Sequence, residues 1–63
     1  MKRNKLIKHI NAHGCFLDRE GSNHSVFVNH ETLKTSAIPR HNEIKDTMCN
    51  VICKQLGIPK IKQ

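Results

Sequence analysis

The chain has 63 residues and carries 11 Lys and Arg against 5 Asp and Glu, so its formal net charge is +6. With two Phe and no Trp or Tyr, the core must come mostly from Leu, Ile, Val and Met, and a chain of this length is only marginally stable alone. No stretch is long and apolar enough to span a bilayer, and the positive excess favours a polyanionic partner such as nucleic acid.

The cysteine count and the N-terminal residues indicate the cellular compartment. Three Cys is an odd number, and the basic segment 1–5 is not followed by the apolar run of a signal peptide. We therefore expect a cytoplasmic protein with free thiols.

The first predicted element is a helix over residues 2–13. Leu6, Ile7 and Ile10 form one apolar stripe at helical spacing. Gly14 follows at the position where a left-handed residue ends a helix.

Three strands are predicted next, over residues 15–19, 24–29 and 33–38, with Pro39 closing the last. The polar turns between them are too short for a crossover, so the strands should form an antiparallel meander.

A second helix is predicted to begin at Asp46 or Thr47, as the capping residue, and to end at Leu56 before Gly57. Residues 58–63 then form a basic tail. The predicted buried stripe of this helix consists of Met48, Cys49, Ile52, Cys53 and Leu56.

These elements predict one domain over residues 1–63 of the α+β class. Its order is α-β-β-β-α, with a three-stranded antiparallel sheet and two helices on one face of that sheet.

His24 is the most informative candidate for chemistry. Histidine has the ordinary pKa nearest neutrality, so it can both take and give a proton. Alternation along the strand places His24 on the open face if Phe27 points toward the helices. There it could act as general base on a ribose 2′-hydroxyl or as general acid on a leaving 5′-oxygen. The alternative from spacing alone is an ordinary surface histidine.

Cationic and polar residues surround this candidate in the predicted sheet. Arg19 is close to the turn before His24, and Arg40 and His41 directly follow the third strand, so these residues could hold a phosphate near the histidine. The residues predicted to contact RNA are Arg19, Ser22, Asn23, Lys34 and Arg40.

A zinc site is the weaker alternative for the thiols and imidazoles. The pairs His9/His13 and Cys49/Cys53 are each four residues apart on a predicted helix, which would allow a two-Cys, two-His site. The cysteines lie in the apolar stripe, where free Cys serves as a small hydrophobe, so we expect no metal. His30 and His41 are interpreted as ordinary histidines without a catalytic role.

The sequence resembles the HicA family of toxin–antitoxin toxins over nearly its full length. The combination of Gly-Ser before His-x-x-Phe, with a small-Ile-Pro segment ahead of a helix ending Lys-Gln-x-Gly, is fairly specific. The resemblance rests on Leu6-Ile7, Gly14, Gly21-Ser22-Asn23-His24-Ser25-Val26-Phe27, Ala37-Ile38-Pro39 and Lys54-Gln55-Leu56-Gly57-Ile58.

This resemblance implies a fold like that of double-stranded-RNA-binding domains and an mRNA-cleaving ribonuclease whose essential histidine corresponds to His24. It also implies a HicB-type antitoxin partner, hence a hetero-oligomer, and chemistry without a metal or other cofactor. Two positions depart from the family pattern: Asn23 is an extra residue in the turn, and Cys15 stands where many members have Trp. The rival function is a non-catalytic RNA-binding module of the same fold.

Overall fold

A computed structural model of the chain describes residues 1–61. Its two helices and three strands follow the order α-β-β-β-α, which confirms the predicted α+β class. The elements are α1 (Arg3–Ala12), β1 (Cys15–Glu20), β2 (His24–Asn29), β3 (Thr35–Pro39) and α2 (Asp46–Leu56). The strands form one antiparallel sheet in the order β1-β2-β3.

Helix α1 packs its predicted stripe against the sheet. Leu6 and Ile10 are fully buried and Ile7 is half-buried. The helix ends at Ala12, and Gly14 follows with φ +82°, a left-handed conformation that a residue without a Cβ adopts at no steric cost.

The start of α2 differs from the sequence prediction. The capping position is Lys45, and within residues 1–61 no side chain bonds the free amides there, so the prediction of Asp46 or Thr47 as the capping residue was wrong. Asp46 instead occupies the first turn, where a carboxylate interacts favourably with the positive end of the helix dipole.

The buried face of α2 is narrower than predicted. Cys49, Ile52, Cys53 and Leu56 are buried, but Met48 is 45% exposed, so its assignment to the core was wrong. The reason is that α2 lies over β3, the edge of a small sheet, and among the described residues no further layer covers its flank.

Strand β2 follows the predicted alternation. Ser25, Phe27 and Asn29 are buried beneath the helices, whereas His24 is exposed on the opposite face. This arrangement places one face of β2 against the core and leaves the histidine on the other face accessible to solvent.

Strand β3 begins two residues later than predicted, at Thr35. Leu33 is not a strand residue, since it has φ +64°, is 74% exposed and donates its amide to the Asn29 carbonyl at 2.7 Å. It belongs to the turn, where positive φ is costly for a branched side chain but closes the hairpin.

Asn29 ties the sheet to the end of α2. Its Nδ2 donates to the Leu56 carbonyl at 2.8 Å, and its Oδ1 accepts from the Glu31 amide at 2.9 Å. Asn29 is only 4% exposed, so both bonds satisfy groups that water reaches poorly.

The core runs between the helices and the sheet and includes part of the predicted tail. Ile61 is buried and Ile58 packs against the core, while Lys62 and Gln63 of the predicted basic tail lie outside the described residues. The buried hydrophobic residues are Leu6, Ile10, Cys15, Phe27, Ile38, Ile44, Cys49, Ile52, Cys53, Leu56 and Ile61.

All three cysteines are buried and carry free thiols. Desolvation raises the pKa of each: Cys15, Cys49 and Cys53. Within residues 1–61, neither helix has the length and apolarity needed to cross a membrane.

Candidate active site

His24 stands at the first position of β2, on the exposed face of the sheet and directly after the β1–β2 turn. Pro39, the last residue of β3, pairs with it across the sheet. An open groove of about 400 Å³ lies at this end of the sheet. Its lining consists of Ser22, Asn23, His24, Arg40 and His41.

The turn that precedes His24 depends on a close backbone approach. The Gly21 amide donates to the His24 carbonyl at 2.7 Å. A Cβ on residue 21 would stand 3.1 Å from that same oxygen, tighter than nine in ten real Cβ contacts. Glycine at this position therefore lets the turn close against the start of β2.

Arg40 binds the turn from the other side. Its Nη1 donates to the Ser22 carbonyl at 2.9 Å, and its Nη2 donates to the Gly21 carbonyl and to the His24 carbonyl, the latter at 3.1 Å. Nη2 and Nε also reach Glu20 Oε1, at 2.9 and 3.3 Å. The guanidinium thus contacts both ends of the turn.

Glu20 connects this cluster to the strand. Its Oε1 accepts a hydrogen bond from Ser25 Oγ at 2.6 Å, and Ser25 Oγ accepts from Arg3 Nη2 at 3.3 Å. Arg3 Nε donates to the Pro39 carbonyl at 2.9 Å. The Ser25 bond, followed by the bond from Arg40, lowers the pKa of the Glu20 carboxyl, so it holds its negative charge more strongly.

The structure brings together some of the predicted RNA contacts and separates others. Ser22, Asn23 and Arg40 share the groove with His24. Arg19 is exposed on β1, opposite Val26, outside the lining of that groove. Lys34 lies beyond the other end of β2, with its Cδ 3.3 Å from where a Cβ on Gly57 would stand.

His41 was missed as a site residue. It lines the same groove as His24, although the sequence indicated it only as a possible phosphate contact beside Arg40 and not as a proton-transfer group. The pairing of His24 with Pro39 places the residues after Pro39 beside the histidine. This register is what brings His41 close to His24, and it is not evident from the sequence until β2 and β3 are aligned.

A second groove of about 410 Å³ adjoins the first and shares Arg40 with it. Its other lining residues are Lys2, Arg3, Asn4 and Asn42. The structure places Lys2 and Arg3 together with Arg40.

An aromatic side chain is also available on the open face. Phe16 is 43% exposed, pairs with Val28 across the sheet and has its ring centroid 5.1 Å from that of His30. It lies toward the end of β2 away from His24.

Among residues 1–61, no group of three or more possible metal ligands converges. His9 Nε2 lies 2.8 Å from the Pro59 carbonyl, and Cys49 and Cys53 are in the core. The pairs His9/His13 and Cys49/Cys53 therefore do not form one site.

The fold and the groove define a small, basic α+β protein that displays one histidine beside a tight turn. A sequence model of the HicA toxin of bacterial toxin–antitoxin systems matches residues 3–58 of this chain. The match covers most of the chain, so the protein belongs to the HicA toxin family. No significant match was found among curated proteins or among solved structures.

Proposed function

We propose that the protein is a metal-independent endoribonuclease that cleaves mRNA, with His24 as general acid or base. The observation that carries the proposal is the exposed imidazole of His24 in a groove that also contains His41 and Arg40. Membership of a toxin family supplies the biological setting, namely the toxic partner of a toxin–antitoxin pair.

The reaction that suits these groups is transesterification of RNA. The ribose 2′-oxygen attacks phosphorus, the bond from phosphorus to the 5′-oxygen breaks, and the products are a 2′,3′-cyclic phosphate and a 5′-hydroxyl. One group must take the 2′-hydroxyl proton and another must give a proton to the leaving oxygen. His24 performs one transfer, and His41, in the same groove, is the candidate for the other.

RNA reaches the groove through its phosphates. Ser22 and Asn23 supply polar groups beside His24, and Lys2 and Arg3 extend a positive surface from the adjoining groove. Arg19 and Lys34, which lie outside the first groove, contact phosphates farther along the strand. General acid–base help is worth roughly 10²–10⁴-fold, which suits a slow toxin.

The partner that controls this activity is a HicB-type antitoxin, which covers the face carrying His24 in a hetero-oligomer. Coexpression with a HicB-type antitoxin should therefore restore growth and block RNA access to the groove.

The test replaces the histidine and keeps the fold. His24→Ala should bind RNA but produce neither growth arrest nor cleaved RNA. His30→Ala is the matched control, because His30 is also exposed but follows the opposite end of β2. Wild-type cleavage should yield defined cyclic-phosphate ends in excess chelator. Full toxicity of His24→Ala would contradict the proposal.

The alternative is a non-catalytic RNA-binding module of the same fold. The basic grooves favour binding in both cases, so salt dependence does not separate them. Growth arrest by the wild-type chain with intact RNA would select the binding module.

A further inference from the structure

The turn that presents His24 is held by one side chain from a distant part of the sequence. We infer that Arg40 is a positioning residue for His24, and that its guanidinium, oriented by Glu20, fixes the turn so that the imidazole is held in the groove. This inference rests on the proposed ribonuclease function and names the group on which its geometry depends.

The acceptors around Arg40 match a guanidinium and no other side chain. They are one carboxylate oxygen and the carbonyls of Gly21, Ser22 and His24, spread around Nε, Nη1 and Nη2. A guanidinium presents five donors in a rigid plane, whereas a lysine ammonium presents three from a single atom. Lysine keeps the charge at this position but cannot reach the same acceptors together.

The contacts are concentrated on the residue that carries the imidazole and on its neighbours. Arg40 binds the His24 carbonyl itself, and Glu20, which Arg40 holds, binds Ser25 next to it. Across the sheet, Arg3 binds the Pro39 carbonyl opposite His24. Loss of Arg40 therefore frees residues 21–24 at the point where the histidine is attached.

The same contacts argue against Arg40 as the principal phosphate ligand. Each of its three nitrogens already donates within the protein, and its charge lies 2.9 Å from the Glu20 carboxylate. A phosphate would have to compete with Glu20 for the guanidinium.

Two substitutions separate the roles. Arg40→Lys preserves the charge and removes the planar set of donors. Glu20→Gln removes the carboxylate that orients Arg40. If Arg40 were a phosphate clamp, Glu20→Gln would release it and tighten RNA binding, whereas a positioning role makes cleavage slower. Glu31→Gln is the matched control, because Glu31 is exposed in the turn at the far end of β2.

The first measurement is single-turnover cleavage of a short RNA by the full chain, with RNA affinity determined separately. Arg40→Lys and Glu20→Gln should each lower the rate constant at saturating RNA about 10- to 100-fold, because small misplacements of a reacting group have effects of this size. RNA affinity should change less than about threefold, because a positioning residue affects the chemical step rather than the binding of RNA. The double variant should be no slower than the slower single variant, because the two residues act as one unit.

The second measurement does not require activity. ¹⁵N relaxation of the amides of residues 21–24 should show increased mobility in Arg40→Lys and Glu20→Gln, but not in Glu31→Gln, while circular dichroism shows a retained fold. If wild-type protein cleaves no RNA, the proposed function fails, and this measurement still decides whether Arg40 holds the turn.

Three results would overturn the inference. The first is a turn in Arg40→Lys that stays as ordered as in the wild type. The second is a loosened turn with an unchanged cleavage rate. The third is faster cleavage or tighter RNA binding in Glu20→Gln, which would make Arg40 a phosphate ligand.

Discussion

The buried amide of Asn29 offers a sharp test of what holds the sheet to α2. Asn29→Ala removes the donor to the Leu56 carbonyl and the acceptor for the Glu31 amide. A buried carbonyl left without a donor costs about 1–3 kcal/mol, and the second, more exposed bond contributes about 0.5–1.5 kcal/mol. We therefore expect a loss of about 1.5–4.5 kcal/mol in the free energy of unfolding.

That loss is large for this chain. At about 0.05–0.15 kcal/mol per residue, a domain of this size has a total stability of roughly 3–9 kcal/mol. Each kcal/mol corresponds to about 4–8 °C in Tm for small domains, so Tm should fall by roughly 6–36 °C.

The measurement is urea unfolding of wild type, Asn29→Ala and the control Asn11→Ala, whose side chain is exposed on α1. The control should change the free energy of unfolding by less than about 0.5 kcal/mol. Because Asn29 is at the end of β2 opposite His24, RNA cleavage per folded molecule should stay at the wild-type value. A loss below about 0.5 kcal/mol in Asn29→Ala would show that water satisfies the Leu56 carbonyl and would refute the reasoning.

The remaining predictions concern proton transfer and charge. If His24 and His41 are the two proton-transfer groups, the pH profile of kcat/KM should be bell-shaped in the wild type and should lose one limb in His41→Gln. A profile that stays bell-shaped in His41→Gln would exclude His41 as the second proton-transfer group. The depressed pKa of Glu20 means that its stabilising contribution is present above the pKa of the unfolded chain and is lost as pH falls through the lower folded value. The free energy of unfolding should therefore decline as pH falls through the acidic range, and the decline should be smaller in Glu20→Gln than in the wild type. An identical decline in both proteins would contradict this linkage.

The order of the elements was predictable because local patterns and tertiary packing agree. Leu6 and Ile10 repeat at helical spacing, buried Phe27 alternates with the half-buried Val26 and Val28, and Gly14 and Gly57 follow the two helices. Each of these signals depends only on nearby residues, so the sequence carries it directly.

The errors arose where packing, rather than local preference, decides. Met48 has the spacing of a core residue, but the small sheet leaves its side of α2 uncovered. Leu33 favours a strand by composition and is nevertheless found in a left-handed turn conformation. Neither outcome follows from the residue type.

The candidate site was predictable only in part for the same reason. His24 could be placed by the turn before it and by the alternation of β2. The approach of Arg40 and His41 depends on the register that pairs His24 with Pro39. Register is a tertiary property, so the role of Arg40 in holding the turn was not visible in the chain order.

The reactivity of the three buried cysteines reports transient local opening of the fold. Thiolates, not thiols, react with alkylating reagents, and both the inaccessibility and the raised pKa of Cys15, Cys49 and Cys53 slow that reaction in the closed state. Cys15 lies on β1, while Cys49 and Cys53 lie on α2. Alkylation kinetics resolved by peptide mass would therefore distinguish detachment of the helix from fraying of the edge strand, without an added label or a substitution.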